Sequence, residues 1–271
     1  KIATTAREAM PTVGQAKSRS KQTPPLERAQ YSPVVADGQI LIDDLLQAVK
    51  YLDAKGVQDV QRAYLFGEKA HAGQERQSGE AYIHHPLAVA HILADIHMDS
   101  RSIIAAILHD VIEDTPTVRV QLVEEFGKDV AHLVEGVTKI SQIEFESSEH
   151  AEAENFRKML LSMARDIRVI LIKLADRIHN MRTLDSLRPE KRQRIAKQTL
   201  EIFAPIANRL GMYTWTQELE DLSFCNLYPK RYNTIRKELD KRRGNHRAII
   251  EKTTAKIESE LAEVGLEGVV E

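Results

Sequence analysis

The chain has 271 residues, 42% of them apolar and 29% charged. That composition suits a globular protein of one large domain or two small ones, at about 150 residues per domain. Its 38 basic and 40 acidic residues nearly cancel, to −2, so no overall field draws in nucleic acid or an anionic membrane. The single cysteine, Cys225, excludes a disulfide framework and a Cys-rich zinc site, and fits a reducing, cytoplasmic setting. No apolar run approaches the roughly 18 residues of a membrane span, and the N-terminus has no signal-peptide core. The chain begins with Lys1 rather than Met, which suggests a piece of a longer protein.

Residues 1–37 carry four of the nine prolines among Ala, Thr, Ser, Gln, Lys and Arg, the composition of a disordered arm. From Ile40 the pattern becomes helical, with Leu41, Leu45, Val49 and Leu52 at three- and four-residue steps. Val57 to His71 reads as a second helix, and the polar stretch Gly73 to Ile83 as a loop. Pro86 suits the first turn of a helix to about Met98. Asp99 or Ser100 caps the next, expected from Ile103 to about Asp114, and Thr115-Pro116-Thr117 ends it. Shorter helices follow to about Ile140, then a polar loop over 141–155. Helices are expected over Phe156–Met163, Ile167–Leu184 and from Pro189 to about Asn208. Only Gly265–Glu271 resembles the start of a strand. The reading is all-α over about 40–205, then a mostly helical segment.

Three segments carry chemistry. In the first, Ile103 to Val111 is apolar apart from His109-Asp110. A helix that apolar is buried on most sides, and an unpaired buried carboxylate is costly, so Asp110 requires a cation or hydrogen bonds. His109 and Asp110 together make a two-ligand metal fragment. On a continuous helix Glu113 and Asp114 share their face, where a carboxylate can orient water. The competing reading is a structural His–Asp pair. In the second segment, Asp176 sits on another apolar helix, with Asn180 one turn on and Thr183 nearly two. Asp176 suits a metal and the other two a substrate. Alternatively Asp176 pairs internally with Arg177, Arg182 or His179. In the third, Arg76, Ser78 and the Gly79 backbone suit a phosphate or nucleotide edge. His84 and His85 compete there for a ligand role beside Pro86. The remaining histidines, among them His71, read as surface or packing residues.

The order His…His-Asp…Asp over these segments is that of the HD phosphohydrolase superfamily. Such a ligand set suits Mn²⁺, Fe²⁺, Zn²⁺ or Mg²⁺. A site of this kind polarises a phosphoryl oxygen and lowers the pKa of bound water.

Over roughly residues 40–271 the chain also resembles the RelA/SpoT group of bifunctional alarmone enzymes, its SpoT branch above all. The resemblance rests on Ser78-Gly79-Glu80, Tyr82-Ile83 with His85-Pro86, and Leu108 to Thr115. It continues through Glu154 to Met159, Ile172 to Arg177, His179 to Leu184 and Ala207 to Gly211. It implies an HD-domain helical bundle, followed by the mostly helical start of an incomplete α/β synthetase domain. The implied divisions are an arm over 1–37, a hydrolase domain over 38–205, and linker helices with the synthetase start over 206–271.

The implied activity is Mn²⁺-dependent hydrolysis of (p)ppGpp, guanosine tetra- or pentaphosphate, to GDP or GTP and pyrophosphate. His85, chosen over His84 because it directly precedes the proline, would bind Mn²⁺ with His109, Asp110 and Asp176. Glu113 and Asp114 would position and deprotonate water. Arg76, Ser78, Gly79, Asn180 and Thr183 would contact the nucleotide. Gln77 and Ala81 depart from a frequent basic residue and a frequent proline, but remove no group that the chemistry requires. Synthetase activity is not expected, because the residues for it would lie beyond Glu271. Partners implied are the nucleotide and regulatory domains or proteins, without membrane or direct nucleic-acid contact; the basic stretch Pro229–Arg247 reads as a solvated linker face. The rival readings are an HD phosphohydrolase for another nucleotide and a regulatory HD module held inactive.

Overall fold

The structure is a computed structural model that describes residues 41–141 and 166–263. The arm over 1–37, the loop beyond Ser141, the helix at 156–163 and the strand at 265–271 fall outside the described residues. Every described element is a helix; the only β-pairing among the described residues is one antiparallel bridge between Glu75 and Ala81. The all-α reading therefore holds. We label the helices α1 (Ile42–Ala48), α2 (Ala54–Ala70), α3 (His84–Ala94), α4 (Ser100–Ile107), α5 (Val111–Asp114) and α6 (Arg119–Ser141). They continue with α7 (Ile167–Arg182), α8 (Pro189–Gln198), α9 (Ala204–Arg209), α10 (Tyr213–Leu227) and α11 (Pro229–Glu263).

Three starts are fixed by aspartates. Asp53, Asp99 and Asp166 each accept hydrogen bonds from backbone amides of the first turn of α2, α4 and α7, satisfying donors that the helix leaves without partners. Pro189 sits in the first turn of α8, where its missing N–H costs nothing. One π-helical turn, Thr199–Phe203, joins α8 to α9. Gly127, at φ 86°, breaks α6 into two helical runs; a side chain at that φ would be strained.

The helices α3 and α4 form the centre. All of α3 except His84 and His91 is buried, as are Ser102 to Ile107 of α4. Each fully buried Ile or Leu there contributes about 1.5–3 kcal/mol. Around this pair pack α1, α2, α6 and α7. On the other side of α7, Arg182 Nε and Nη2 donate to the Glu218 carboxylate at 2.6 and 2.9 Å, fastening α10.

One expected helix is two. The sequence pattern runs unbroken from Ile103 to Asp114, but the chain turns at Leu108-His109-Asp110 and restarts as α5. At this turn the Ala106 carbonyl accepts from the imidazole of His109, Nδ1 to O 2.8 Å. The side chain thus supplies a bond where the regular helix ends, which is why an apolar run with good helical spacing stops here.

The helices α6 and α7 approach closely at Gly136. A Cβ on Gly136 would stand 2.8 and 3.2 Å from the two methyls of Val169. The β-branched side chain has little rotameric freedom in a helix. Gly136→Ala is therefore expected to lower stability by about 1 kcal/mol, as overpacking outweighs the gain in helix propensity. Thermal melting checks this; an unchanged or raised Tm would contradict it.

Candidate metal centre

Three elements meet at one point: the first turn of α3, the turn after α4 and the middle of α7. They deliver His85, His109 and Asp176, whose ligand atoms all lie within 4.8 Å of one another. All three residues are buried. Asp110 adjoins them, its Oδ2 3.0 Å from His109 Nε2 and 3.8 Å from His85 Nε2. Asp176 Oδ1 lies 3.3 Å from His85 Nε2. His85 lies in the cluster and is buried, whereas His84 is half-buried and outside it.

The donor set fits a divalent cation. Two imidazole nitrogens and two carboxylates converge, a mixture that suits first-row metals. His109 donates through Nδ1 to the Ala106 carbonyl, which turns Nε2 inward. That Nε2 is buried and meets no acceptor at a hydrogen-bonding angle, despite the nearby Asp110 oxygen. A ligating histidine held from behind by a carbonyl is the usual arrangement at metal sites.

Electrostatics follow from burial and pairing. Burial would raise the Asp176 carboxyl, but Lys173 above all holds it well below the usual carboxylate range. Lys173 Nζ donates to its Oδ2 at 2.7 Å, and Asn180 Nδ2 donates to its Oδ1. Asp110, pushed up by burial, is pulled lower by His109. Burial lowers His109, yet Asp110 overcomes this and raises it to about 9. For His85, burial dominates and lowers the ring below 6.5.

The two acids proposed for water activation stand on α5, exposed beside the cluster. Burial and the Asp110 charge raise the Glu113 carboxyl. Asp114 is linked to Asp110 through Tyr82, whose hydroxyl lies 2.7 Å from Oδ2 of each. Tyr82 stacks on the buried His71, with ring centroids 4.5 Å apart. Gln74 bonds His71 Nδ1 and donates to the Asp114 carbonyl.

Of the residues expected to hold nucleotide, three are brought together. Arg76 Nη2 donates to Asn180 Oδ1 at 2.7 Å, and Nη1 to Thr183 Oγ1 at 3.4 Å. Ser78 and Gly79 stand apart from them, exposed at the tip of the loop, where Gly79 at φ 85° closes a turn onto the Arg76 carbonyl. Two members of the cluster's surroundings received no site role from the sequence. Tyr82 was visible only as part of a motif. His179 reads as an internal partner of Asp176, but its Nδ1 lies 2.8 Å from His85 Nδ1. Its position one helical turn before Thr183, beside Ile178 and Asn180, gives no signal of this.

The family described as HD domain matches residues 63–213, a span that holds the whole cluster. This chain belongs to the HD-domain family. With the inward-facing His and Asp residues, that membership points to a divalent metal in this HD domain. Among curated relatives, the chain is 51% identical over 227 residues to the bifunctional (p)ppGpp synthase/hydrolase SpoT of Escherichia coli K12, covering 83% of this chain and 32% of that protein. It is 54% identical over 202 residues to the guanosine-3′,5′-bis(diphosphate) 3′-pyrophosphohydrolase of Haemophilus influenzae, covering 74% and 30%. It is 51% identical over 214 residues to a GTP pyrophosphokinase of Myxococcus xanthus, covering 78% and 28%. The chain thus spans about a third of the length of these relatives. A solved structure of a metazoan ortholog of SpoT matches at 25% identity over 66% of this chain and 94% of that one, with a TM-score of 0.42, too low to argue from.

The raised His109 gives a test of the metal site. Without metal its ring holds a proton up to about pH 9, instead of about 6.5, and a metal on Nε2 must displace that proton. Metal affinity is therefore expected to climb between those pH values, with proton release. Calorimetry in buffers of different ionisation enthalpy measures it; pH-independent binding without proton release would contradict the assignment.

Proposed function

We propose that this HD domain hydrolyses a guanosine 3′-diphosphate 5′-di- or triphosphate, (p)ppGpp, to GDP or GTP and pyrophosphate, with Mn²⁺. The observation that carries the reading is the intact cluster of His85, His109, Asp110 and Asp176, with Glu113 and Asp114 beside it. The relatives' names include both hydrolysis and pyrophosphate transfer, so likeness alone does not choose between them. Buried imidazoles and carboxylates flanked by two exposed acids favour hydrolysis. On the same reading residues 38–205 form the hydrolase domain, and 206–271 the linker helices and the start of a synthetase region. Regulatory partners or further domains, and a cytoplasmic setting, belong to this proposal.

In this scheme His85, His109, Asp110 and Asp176 hold the cation. When bound it supplies a Lewis acid for the 3′-phosphate and lowers the pKa of water. Glu113, raised by partial burial and by Asp110, accepts the proton of the attacking water. The Tyr82 hydroxyl holds Asp114 beside Asp110, where Asp114 orients that water. Arg76 offers the in-plane N–H edges of its guanidinium, suited to bidentate phosphate contact, while Asn180 and Thr183 receive the nucleotide next to it. The Ser78-Gly79 turn closes over the outer edge of the substrate.

The test is incubation of the chain with ppGpp and Mn²⁺, with and without a chelator, following GDP and pyrophosphate. Metal-dependent release of both in equal amounts is expected. Asp110→Ala should abolish release and lower metal content together. Glu113→Gln should keep the metal and slow release by about 10²–10⁴-fold, the usual contribution of a general base. Preference for a nucleotide without a 3′-phosphate would favour the rival phosphohydrolase. Full Mn²⁺ occupancy without turnover of any nucleotide would favour the regulatory one.

A further inference from the structure

His85 Nδ1 and His179 Nδ1 lie 2.8 Å apart, both rings buried. Such a pair bonds only if one nitrogen carries a proton and the other does not. In the neutral His85 ring that metal ligation requires, the two alternatives differ in what Nε2 presents to Asp110 and Asp176: a proton or a lone pair.

Arg76 decides between them. Its guanidinium is donor-only and stays protonated. Nη1 lies 3.5 Å from the same His179 Nδ1. A proton on that nitrogen would face the guanidinium N–H groups, whatever the charge of the ring. His179 Nδ1 is therefore the acceptor, and His85 Nδ1 the donor. The same arginine fixes a second group. Nη2 donates to Asn180 Oδ1 at 2.7 Å, which leaves the amide Nδ2 to donate to Asp176 Oδ1. One loop residue thus sets the hydrogen-bond polarity on two sides of the cluster, once through His179 and once through Asn180.

We propose that His179 is a positioning residue: held as an acceptor by Arg76, it fixes His85 as the Nδ1–H tautomer and turns the Nε2 lone pair toward the metal-ligand set. This rests on the metal-centre reading above. It adds that the loop proposed to grip the substrate and the metal site are joined by hydrogen bonds of one direction. A ligand that draws Arg76 away removes the group that holds this direction. A lone pair 3.3 Å from the Asp176 oxygen is repelled unless a cation lies between them, so the tautomer favours metal binding.

The experiment begins with the unsubstituted, metal-free chain, its histidines labelled with ¹⁵N. NMR of the imidazole nitrogens is expected to show His85 protonated at Nδ1 and bare at Nε2, and His179 the reverse. A proton on His85 Nε2 would overturn the proposal. Mn²⁺ affinity is then measured by calorimetry for His179→Phe, which keeps a ring but no acceptor, and His179→Gln, which restores an acceptor oxygen. The expected results are a loss of about 10–100-fold for the first, the usual effect of removing such a partner, and substantial recovery for the second. Melting of the metal-free proteins separates this from general unfolding; if His179→Phe does not fold, the tautomer assignment and His179→Gln decide. Unchanged affinity in His179→Phe would overturn the proposal alone. Failure of the unsubstituted chain to bind Mn²⁺ would overturn the metal reading, and the proposal with it.

Discussion

Two carboxylates stand where a helical bundle would otherwise be apolar. Asp176 is almost fully buried in the middle of α7 and Asp110 mostly so in the turn after α4. An unpaired carboxylate in such a setting is strongly disfavoured, so the surrounding structure is organised around their charge. Lys173 and Asn180 bind the outer and inner oxygens of Asp176, His109 and Tyr82 stand against Asp110, and His85 faces both. Without a metal, Lys173 at Asp176 and His109 at Asp110 hold the acids ionised. The same contacts leave two imidazole nitrogens directed at them, which is the requirement for holding a cation.

The fold divides the labour between rigid and exposed parts. The metal-ligand set comes from α3, the turn after α4, and α7, among deeply packed helices whose side chains have little freedom to wander. The acids for water, Glu113 and Asp114, sit on the short α5, and the groups for substrate on the loop before α3 and the end of α7. Tyr82 and Arg76 connect the two parts. Tyr82 reaches from the loop to both Asp110 and Asp114, and Arg76 from the loop to His179, Asn180 and Thr183. Substrate binding and metal binding therefore share neighbours, although no residue is assigned to both.

Much of this is legible in the sequence because burial and helical spacing leave marks there. The helices from α1 to α4 and α7 follow apolar residues at three- and four-residue steps, and Asp99 sits where a cap was expected. A charged residue inside an apolar run is itself a signal, which is how Asp110 and Asp176 stand out. The break at Leu108-His109-Asp110 left no mark, because the apolar spacing continues through it and the bond that ends the helix is made by a side chain. The spacing argument placed Glu113 and Asp114 on one helical face with His109; they reach the cluster across a turn instead. His179 was read only as an internal partner of Asp176, because its contact with His85 joins residues 94 positions apart and leaves no local pattern. Likewise nothing local separates Arg76, which reaches Asn180 and Thr183, from Ser78 and Gly79, which stay at the loop tip.

The most direct measurement of the central claim is diffraction from crystals of this chain grown with Mn²⁺, recorded at the metal's absorption edge. The account predicts one anomalous peak in contact with His85 Nε2, His109 Nε2 and the carboxylates of Asp110 and Asp176, and its disappearance in Asp176→Asn. A peak elsewhere, or an empty cluster in crystals whose protein binds Mn²⁺ in solution, would contradict it.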